Sequence, residues 1–413
     1  YATVGTPRKF WHAWRDEGDT EEEVARAANR TLTNQESEMV FSGSFASARR
    51  FFKDLQAGGA RAVTEQDRTI HALCRPERLL DLVRRFTVFD GGVRKIARHQ
   101  QFFGIKLAVE RVKQFDMART RKGGVIWHTQ GSGKSLTMVM LGRALALDKA
   151  IPNPRIIIVT DRDDLDKQIK GTFKSCDMDP VRATSGSHLL SMIRAKTPLV
   201  TTLINKFDTA LRSGETPDED PNIFVLIDES HRSQTGTHGG YGQLAVKMRR
   251  LLPRACYLGF TGTPLLKNDK RNTFTTFGGL IHHYKIDEAV ADGAVVPLLY
   301  EGRLVDQQIT GGVIDAWFDK ISEGLTDEQK ADLKRKFSRM DALSKTGQAI
   351  RAKAFDISEH YRQHWQDTGF KAQLVAPSKA AAVRFKEVLD EIGHVTSEII
   401  MSPPDENEGN DDV

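Results

Sequence analysis

Cysteine is scarce in this chain. Its 413 residues hold three, Cys74, Cys176 and Cys256, without metal-ligand spacing or a pairing signature. That excludes a disulfide-stapled scaffold and a zinc module, and it fits a reducing compartment. Long apolar runs are missing too. No stretch reaches the roughly 20 residues that cross a bilayer as a helix, so no membrane partner is expected. The first residues show no signal-peptide pattern. They begin at Tyr1 rather than Met, as a piece of a longer protein would. An excess of one charge is also absent: 60 basic residues face 55 acidic ones, a net charge of +5. A polybasic tail is thereby excluded, whereas a local basic groove is not. With this length and 39% hydrophobic residues, two or three domains with real cores are expected.

What is present centres on V-I-W-H-T-Q-G-S-G-K-S, Val125 to Ser135. A short apolar run ends in a glycine turn, and a helical pattern, Leu136 to Leu147, follows. This is the strand–loop–helix context of a phosphate-binding loop. Gly131 and Gly133 let successive backbone N–H groups converge, and the helix dipole favours an anion there. Thr129, Gln130, Gly131, Ser132 and Gly133 would line the cradle. Lys134 would reach the β- and γ-phosphates of ATP, and the Ser135 hydroxyl would hold Mg²⁺.

Residues 1–90 read as mostly helical. Thr20 suits a helix N-cap before three glutamates, and Pro76 suits a first helical position. Trp11, Trp14, Phe51 and Phe52 read as core rather than as base-stacking platforms. Gly91-Gly92 marks a boundary. Arg98 to Val112 has the spacing of an amphipathic helix on a core. It carries Gln101, whose amide matches the donor–acceptor edge of adenine.

From Gly124 to Pro264 apolar runs alternate with helical ones. The runs are V-I-W, R-I-I-I-V-T, L-V-T-T-L, F-V-L-I-D and C-Y-L-G-F-T. They are β-branched and lack polar alternation, as central strands of a parallel sheet covered on both faces do. Ligands of such sheets gather at the carboxyl ends of the strands. There the sequence places Thr160-Asp161-Arg162, Asn205-Lys206, Asp228-Glu229-Ser230-His231 and Thr261-Gly262-Thr263-Pro264. Asp228 would position Mg²⁺, through water, and Glu229 would orient and deprotonate the attacking water. His231 would link nucleotide and moving parts. Thr261 and Thr263 would sense the γ-phosphate through the acidic pair.

Further on, L-T-D-E-Q-K-A-D-L-K-R-K-F reads as a helix. Its Glu328-Gln329-Lys330 formally matches half of a nuclease site, but that half-site needs a strand, so it is rejected. Q-L-V-A-P reads as a strand, Ser378 as the cap of the helix that follows it, and S-E-I-I-M-S as a further strand. The run from Pro403 to Val413 is acidic and turn-rich.

In this order, R-H-Q-Q, H-T-Q-G-S-G-K-S, I-V-T-D-R-D-D-L-D, T-T-L-I-N-K-F, L-I-D-E-S-H-R-S and G-F-T-G-T-P resemble the motifs of superfamily 2 helicase motors. More narrowly, W-H-T-Q-G-S-G-K-S-L-T-M, F-T-G-T-P-L-L, L-L-D-L-V-R-R-F-T-V-F-D and A-R-H-Q-Q-F-F-G-I-K-L-A-V-E-R-V resemble the motor of the HsdR subunit of type I restriction enzymes. The resemblance spans residues 76–407. It implies an α/β fold, with a RecA-like parallel-sheet motor domain over 91–300. A mostly helical region, 1–90, would precede it and follow a nuclease domain outside this sequence. A helical connector, 301–366, and the truncated start of a second RecA-like domain, 367–413, would come after.

The function implied is an ATP-dependent translocase of double-stranded DNA that drives cleavage by a type I restriction endonuclease in the cytoplasm of a bacterium or archaeon. Methyltransferase and specificity subunits would be its partners. Gln101 would read adenine, and Asp228, Glu229 and His231 would run hydrolysis with Lys134. Thr261 and Thr263 would couple hydrolysis to movement, and Thr160, Arg162, Asn205 and Lys206 would lie near a DNA strand. Competing readings are a strand-separating helicase, a type III restriction motor and an ATP-binding scaffold lobe without turnover. The sequence departs from the family's pattern in two places. No strand-borne D…E-x-K site appears in residues 1–90, and nothing after Ser402 supplies an arginine finger. The chain by itself is therefore expected to bind ATP, hydrolyse it slowly and not translocate.

Overall fold

The computed structural model describes residues 1–16, 18–211, 216–228, 241–264, 277–303, 326, 329 and 347–401. It divides into two compact units, Tyr1–Pro297 and Leu298–Val413. Among the described residues no helix is long and apolar enough to cross a membrane.

The first unit opens with helices set by their caps. α1 (Glu21–Ala28), α2 (Asn34–Val40) and α4 (Glu65–Cys74) each begin with a threonine, Thr20, Thr33 or Thr64. In each, that hydroxyl accepts the N–H three residues on, and the acidic side chain there returns the bond. Two otherwise orphaned donors are satisfied at each start. α5 (Pro76–Arg85) starts on proline, which has no N–H to waste. α3 (Ala48–Ala57) buries none of its residues.

Two expectations are corrected here. Trp11 and Phe51 are exposed rather than core. Trp14 does pack, edge-on to Phe102, under the Arg78 guanidinium, and Phe52 lies against Phe41. Gly91-Gly92 is no boundary. It is the two-residue turn of a hairpin joining β1 (Thr87–Asp90) to β2 (Val93–Ile96). Both glycines have positive φ, +58° and +82°, which the tightest hairpin turns require.

α6 (His99–Val112) then runs into the core with both Gln100 and Gln101 buried. It leads to a seven-stranded sheet whose spatial order is β5-β6-β4-β7-β8-β3-β9, every pairing parallel. The five strands expected from the sequence are β3 (Gly124–His128), β4 (Arg155–Thr160), β6 (Leu199–Leu203), β7 (Ile223–Ile227) and β8 (Cys256–Thr261). Their residues alternate between two cores. Ile126, Ile156, Ile158, Phe224, Leu226 and Phe260 enter one core, with α6 and α7 (Lys134–Ala146). Val125, Ile157, Val159, Val225, Ile227 and Tyr257 enter the other. The second core is covered by α9 (Gly186–Arg194), α10 (Lys206–Leu211) and α11 (Tyr241–Leu251). Burial on both faces is what removed polar alternation from these runs. α8 (Asp163–Ser175) packs on the first core.

The two edge strands, β5 (Val181–Arg182) and β9 (Leu280–Tyr284), are not evident from the sequence. α12 (Ile286–Ala291) closes the unit.

In the second unit α13 (Gly347–His364) and α14 (Lys379–Ile392) share a small core of Ile350, Ala354, Ala381, Phe385 and Leu389. The Ser378 hydroxyl accepts the Ala381 N–H, as its sequence position suggested. Q-L-V-A-P is not a strand, and neither is S-E-I-I-M as far as Met401. Extended segments count as strands only when a neighbour completes the ladder, and none does among the described residues of this unit. Glu328, Lys330 and almost all of the run around them lie outside the described residues.

Phe224 is fully buried at mid-sheet. Phe224→Ala should cost about 3–5 kcal/mol of unfolding free energy, measured as a lower urea midpoint at unchanged slope.

Candidate nucleotide-binding edge of the sheet

Because all seven strands run parallel, their carboxyl ends share one edge. The described residues among those singled out in the strand-end motifs lie along it. β3 ends at His128, and the next residue, Thr129, donates its N–H to the Tyr284 carbonyl of β9 at 2.9 Å. The Ser132 hydroxyl donates to the Thr129 carbonyl at 2.6 Å, which draws the loop into a tight turn. Gly131 and Gly133 take φ of +82° and +90°, a region costly for any residue with a Cβ. α7 begins directly at Lys134. The geometry is a concavity closed by backbone at a helix N-terminus, the form that receives phosphate oxygens.

The Gly133 carbonyl is a meeting point. It accepts from Thr137 N at 3.0 Å, from the Thr137 hydroxyl at 3.1 Å and from Gln101 Nε2 at 3.1 Å. Gln101 Oε1 accepts the Arg98 N–H at 2.9 Å. Both ends of the Gln101 amide are thus engaged by the protein. A Cβ on Gly133 would stand 2.9 Å from that amide nitrogen, so the Gln101 side chain would have to shift to admit one.

Two strands from β3, β7 delivers Asp228, whose N–H donates to Val159 O at 3.0 Å. Glu229, Ser230 and His231 lie outside the described residues. Between them in the sheet, β8 delivers Thr261, which is fully buried and accepts the Thr263 N–H on its hydroxyl at 3.1 Å. Gly262 is pressed on the loop. A Cβ there would lie 3.1 Å from Gln130 N and 3.5 Å from Lys134 Nζ. The Thr261–Pro264 turn and the phosphate loop are therefore too close to admit a Cβ at Gly262 without a shift, and Asp228 follows the adjoining strand.

The remaining candidates lie further along the same edge. Thr160 is buried at the end of β4, and Arg162 projects with its side chain 61% exposed, near Asp161. Asn205 is exposed beyond β6. The Lys206 ammonium donates to the Ala183 carbonyl, and burial, then the nearby Arg182, lowers its pKa.

Sequence reasoning missed a buried pair beneath the loop. His128 Nε2 and His282 Nδ1 are 2.9 Å apart, and neither residue reaches solvent appreciably. Burial, then the charges of His282 and Lys134, hold His128 well below the ordinary histidine range. His128 is therefore the neutral partner at the loop's root. A polar residue inside an otherwise apolar strand was the only signal, and it named no partner.

The SWI2/SNF2 ATPase family model matches residues 100–331, more than half of the chain. The chain belongs to the SWI2/SNF2 ATPase family. Among curated relatives, a putative type I restriction enzyme endonuclease subunit of Methanocaldococcus jannaschii is 34% identical over 78% of this chain and 31% of its own length. The HindI type I restriction enzyme endonuclease subunit of Haemophilus influenzae is 32% identical over 82% of this chain and 32% of its own. This SWI2/SNF2 ATPase thus spans about a third of the length of each. The resemblance to restriction motor subunits found in the motifs rests on these relatives as well. Among solved structures, a type ISP restriction-modification enzyme bound to DNA aligns over 73% of this chain and 22% of its own, at 13% identity and a TM-score of 0.42.

Two outcomes follow from the loop. Gly133→Ala should weaken binding of a fluorescent ATP analogue by about tenfold or more, the scale of forcing a side chain into the left-handed region. The second concerns acid. A histidine with a depressed folded pKa binds fewer protons folded than unfolded. Its contribution is full above the ordinary value of 6.5 and declines as pH falls below it. Urea midpoints should drop between about pH 7 and pH 5, and the drop should be shallower in His128→Phe.

Proposed function

We propose that this chain is the ATP-hydrolysing lobe of a type I restriction enzyme's motor subunit, a translocase of double-stranded DNA. The observation that supports this reading is the close approach of Gly262 to the phosphate loop, where a Cβ would stand 3.1 Å from Gln130 N and 3.5 Å from Lys134 Nζ, at the edge where Asp228 emerges. A phosphate loop touching the turn of a neighbouring strand gives hydrolysis a mechanical outlet.

In this reading Lys134 binds the β- and γ-phosphates of ATP, with the backbone of Thr129 to Gly133 around them. Ser135 and Asp228 would hold Mg²⁺, which when bound would neutralise charge developing on the phosphates. The left-handed cradle at Gly131 and Gly133 fits the phosphates. Glu229 orients the attacking water and takes its proton. His231 and the hydroxyls of Thr261 and Thr263 pass the change onward. Gln101 can donate to adenine only by releasing the Gly133 carbonyl or the Thr137 hydroxyl, both of which its Nε2 now bonds. Arg162, Asn205, Thr160 and Lys206 lie along the path of a DNA strand. Arg162 and Asn205 are the exposed members and supply the direct contacts. Phosphate contacts suit a motor that must ignore base sequence. Methyltransferase and specificity subunits would supply the recognised site.

The test is DNA-stimulated ATPase activity of the full-length polypeptide containing this chain. Lys134→Ala should abolish it. Glu229→Gln should retain bound ATP in a filter assay while turnover falls by at least about a hundredfold, the scale of a lost general base. Normal turnover in Glu229→Gln would remove the assignment of the base. Displacement of a triplex strand without unwinding of the duplex would separate translocation from strand separation.

A further inference from the structure

Trp127 stands between the two parts that the proposed motor must connect. It is the fourth residue of β3, paired in register with Thr261 of β8 and His283 of β9. Its indole Nε1–H donates to the Gly262 carbonyl at 3.2 Å. The Lys285 ammonium lies over the ring, 5.6 Å from the centroid. Gly262 thus takes a hydrogen bond from the indole. A methyl group on it would also stand 3.1 Å from Gln130 N and 3.5 Å from Lys134 Nζ. Trp127 and the phosphate loop therefore both approach the turn at Gly262.

Among apolar side chains only tryptophan offers both a broad ring and an N–H donor. Phenylalanine would fill much of the space and leave the Gly262 carbonyl without that bond. The carbonyl belongs to a turn whose first hydroxyl, on Thr261, is fully buried and already fixes the Thr263 N–H. Release of Gly262 therefore frees the turn to follow or ignore Lys134, without removing a group that meets phosphate.

We propose that Trp127 is a positioning residue that ties the phosphate loop to the Thr261–Pro264 turn, so that occupancy of the loop is transmitted to the turn. The proposal rests on the ATPase reading above and extends it to coupling. Trp127 does not touch the reacting atoms. Its loss should be felt in turnover under DNA stimulation and not in nucleotide affinity.

The experiment uses the full-length polypeptide with duplex DNA and compares wild type, Trp127→Phe, Gly262→Ala and Lys134→Ala. In Trp127→Phe the Kd for a fluorescent ATP analogue and the KM for ATP should stay within about twofold. DNA-stimulated kcat should fall about tenfold, the scale of one preorganised hydrogen bond. Tryptophan emission should change when a slowly hydrolysed ATP analogue binds wild type, and that change should be lost in Trp127→Phe. A DNA-stimulated kcat within twofold of wild type, or an emission change that survives the substitution, overturns the proposal. Should Trp127→Phe not fold, Gly262→Ala keeps the indole and disturbs the same junction. A tenfold loss of DNA stimulation there supports the coupling, and undiminished stimulation overturns it. If wild type shows no ATPase activity, or Lys134→Ala keeps it, the functional reading itself fails, which is a different result.

Discussion

A parallel ladder buried on both faces governs this molecule. Once seven strands point the same way, whatever follows each strand must emerge at a common edge. Burial on both faces demands apolar residues throughout, and the ladder satisfies the backbone groups that burial strips of water. The polar residues of the motifs are thereby expelled to the strand ends. The site is a consequence of the sheet, and the glycines and hydroxyls only tune what the sheet has gathered.

That tuning is local and specific. At Gly133 a positive φ turns the carbonyl toward Thr137 and Gln101, so three donors hold one oxygen. The loop is fixed from the helix side before any ligand arrives. At Gly262 the lack of a side chain lets a neighbouring strand's turn come within contact of Lys134. Two glycines thus do opposite things: one permits a backbone conformation, the other permits an approach.

The sequence made the interior of the sheet legible and hid its margins. R-I-I-I-V-T and C-Y-L-G-F-T announce central strands because both faces need apolar side chains. L-I-H-H-Y does not, since β9 lies at the edge with Leu280 and His283 exposed, and the two residues of β5 are too few for any period. The β1–β2 hairpin was read as a boundary because paired glycines punctuate domains and hairpins alike. Q-L-V-A-P failed in the other direction: strand propensity without a partner makes no strand. Within the site, the glycines, Lys134 and Asp228 were readable because their chemistry needs neighbours close in sequence. The clamps were not. Gln101 to Gly133 spans 32 positions, Trp127 to Gly262 spans 135, and His128 to His282 spans 154. No spacing rule links such pairs, since the fold alone brings them together.

The histidine pair shows how the interior limits charge at the edge. A protonated His128 would put a second cation at the root of the loop, inside a region where charge is costly. Burial, His282 and Lys134 all disfavour that proton. The imidazole can then serve as a neutral hydrogen-bonding partner, joining β3 to β9 where Thr129 also bonds to Tyr284. The cationic chemistry of the loop is left to Lys134 and to the N-terminus of α7. Acid would add charge beneath the loop and strain the join between β3 and β9, so the neutrality of His128 is part of what keeps the cradle in shape.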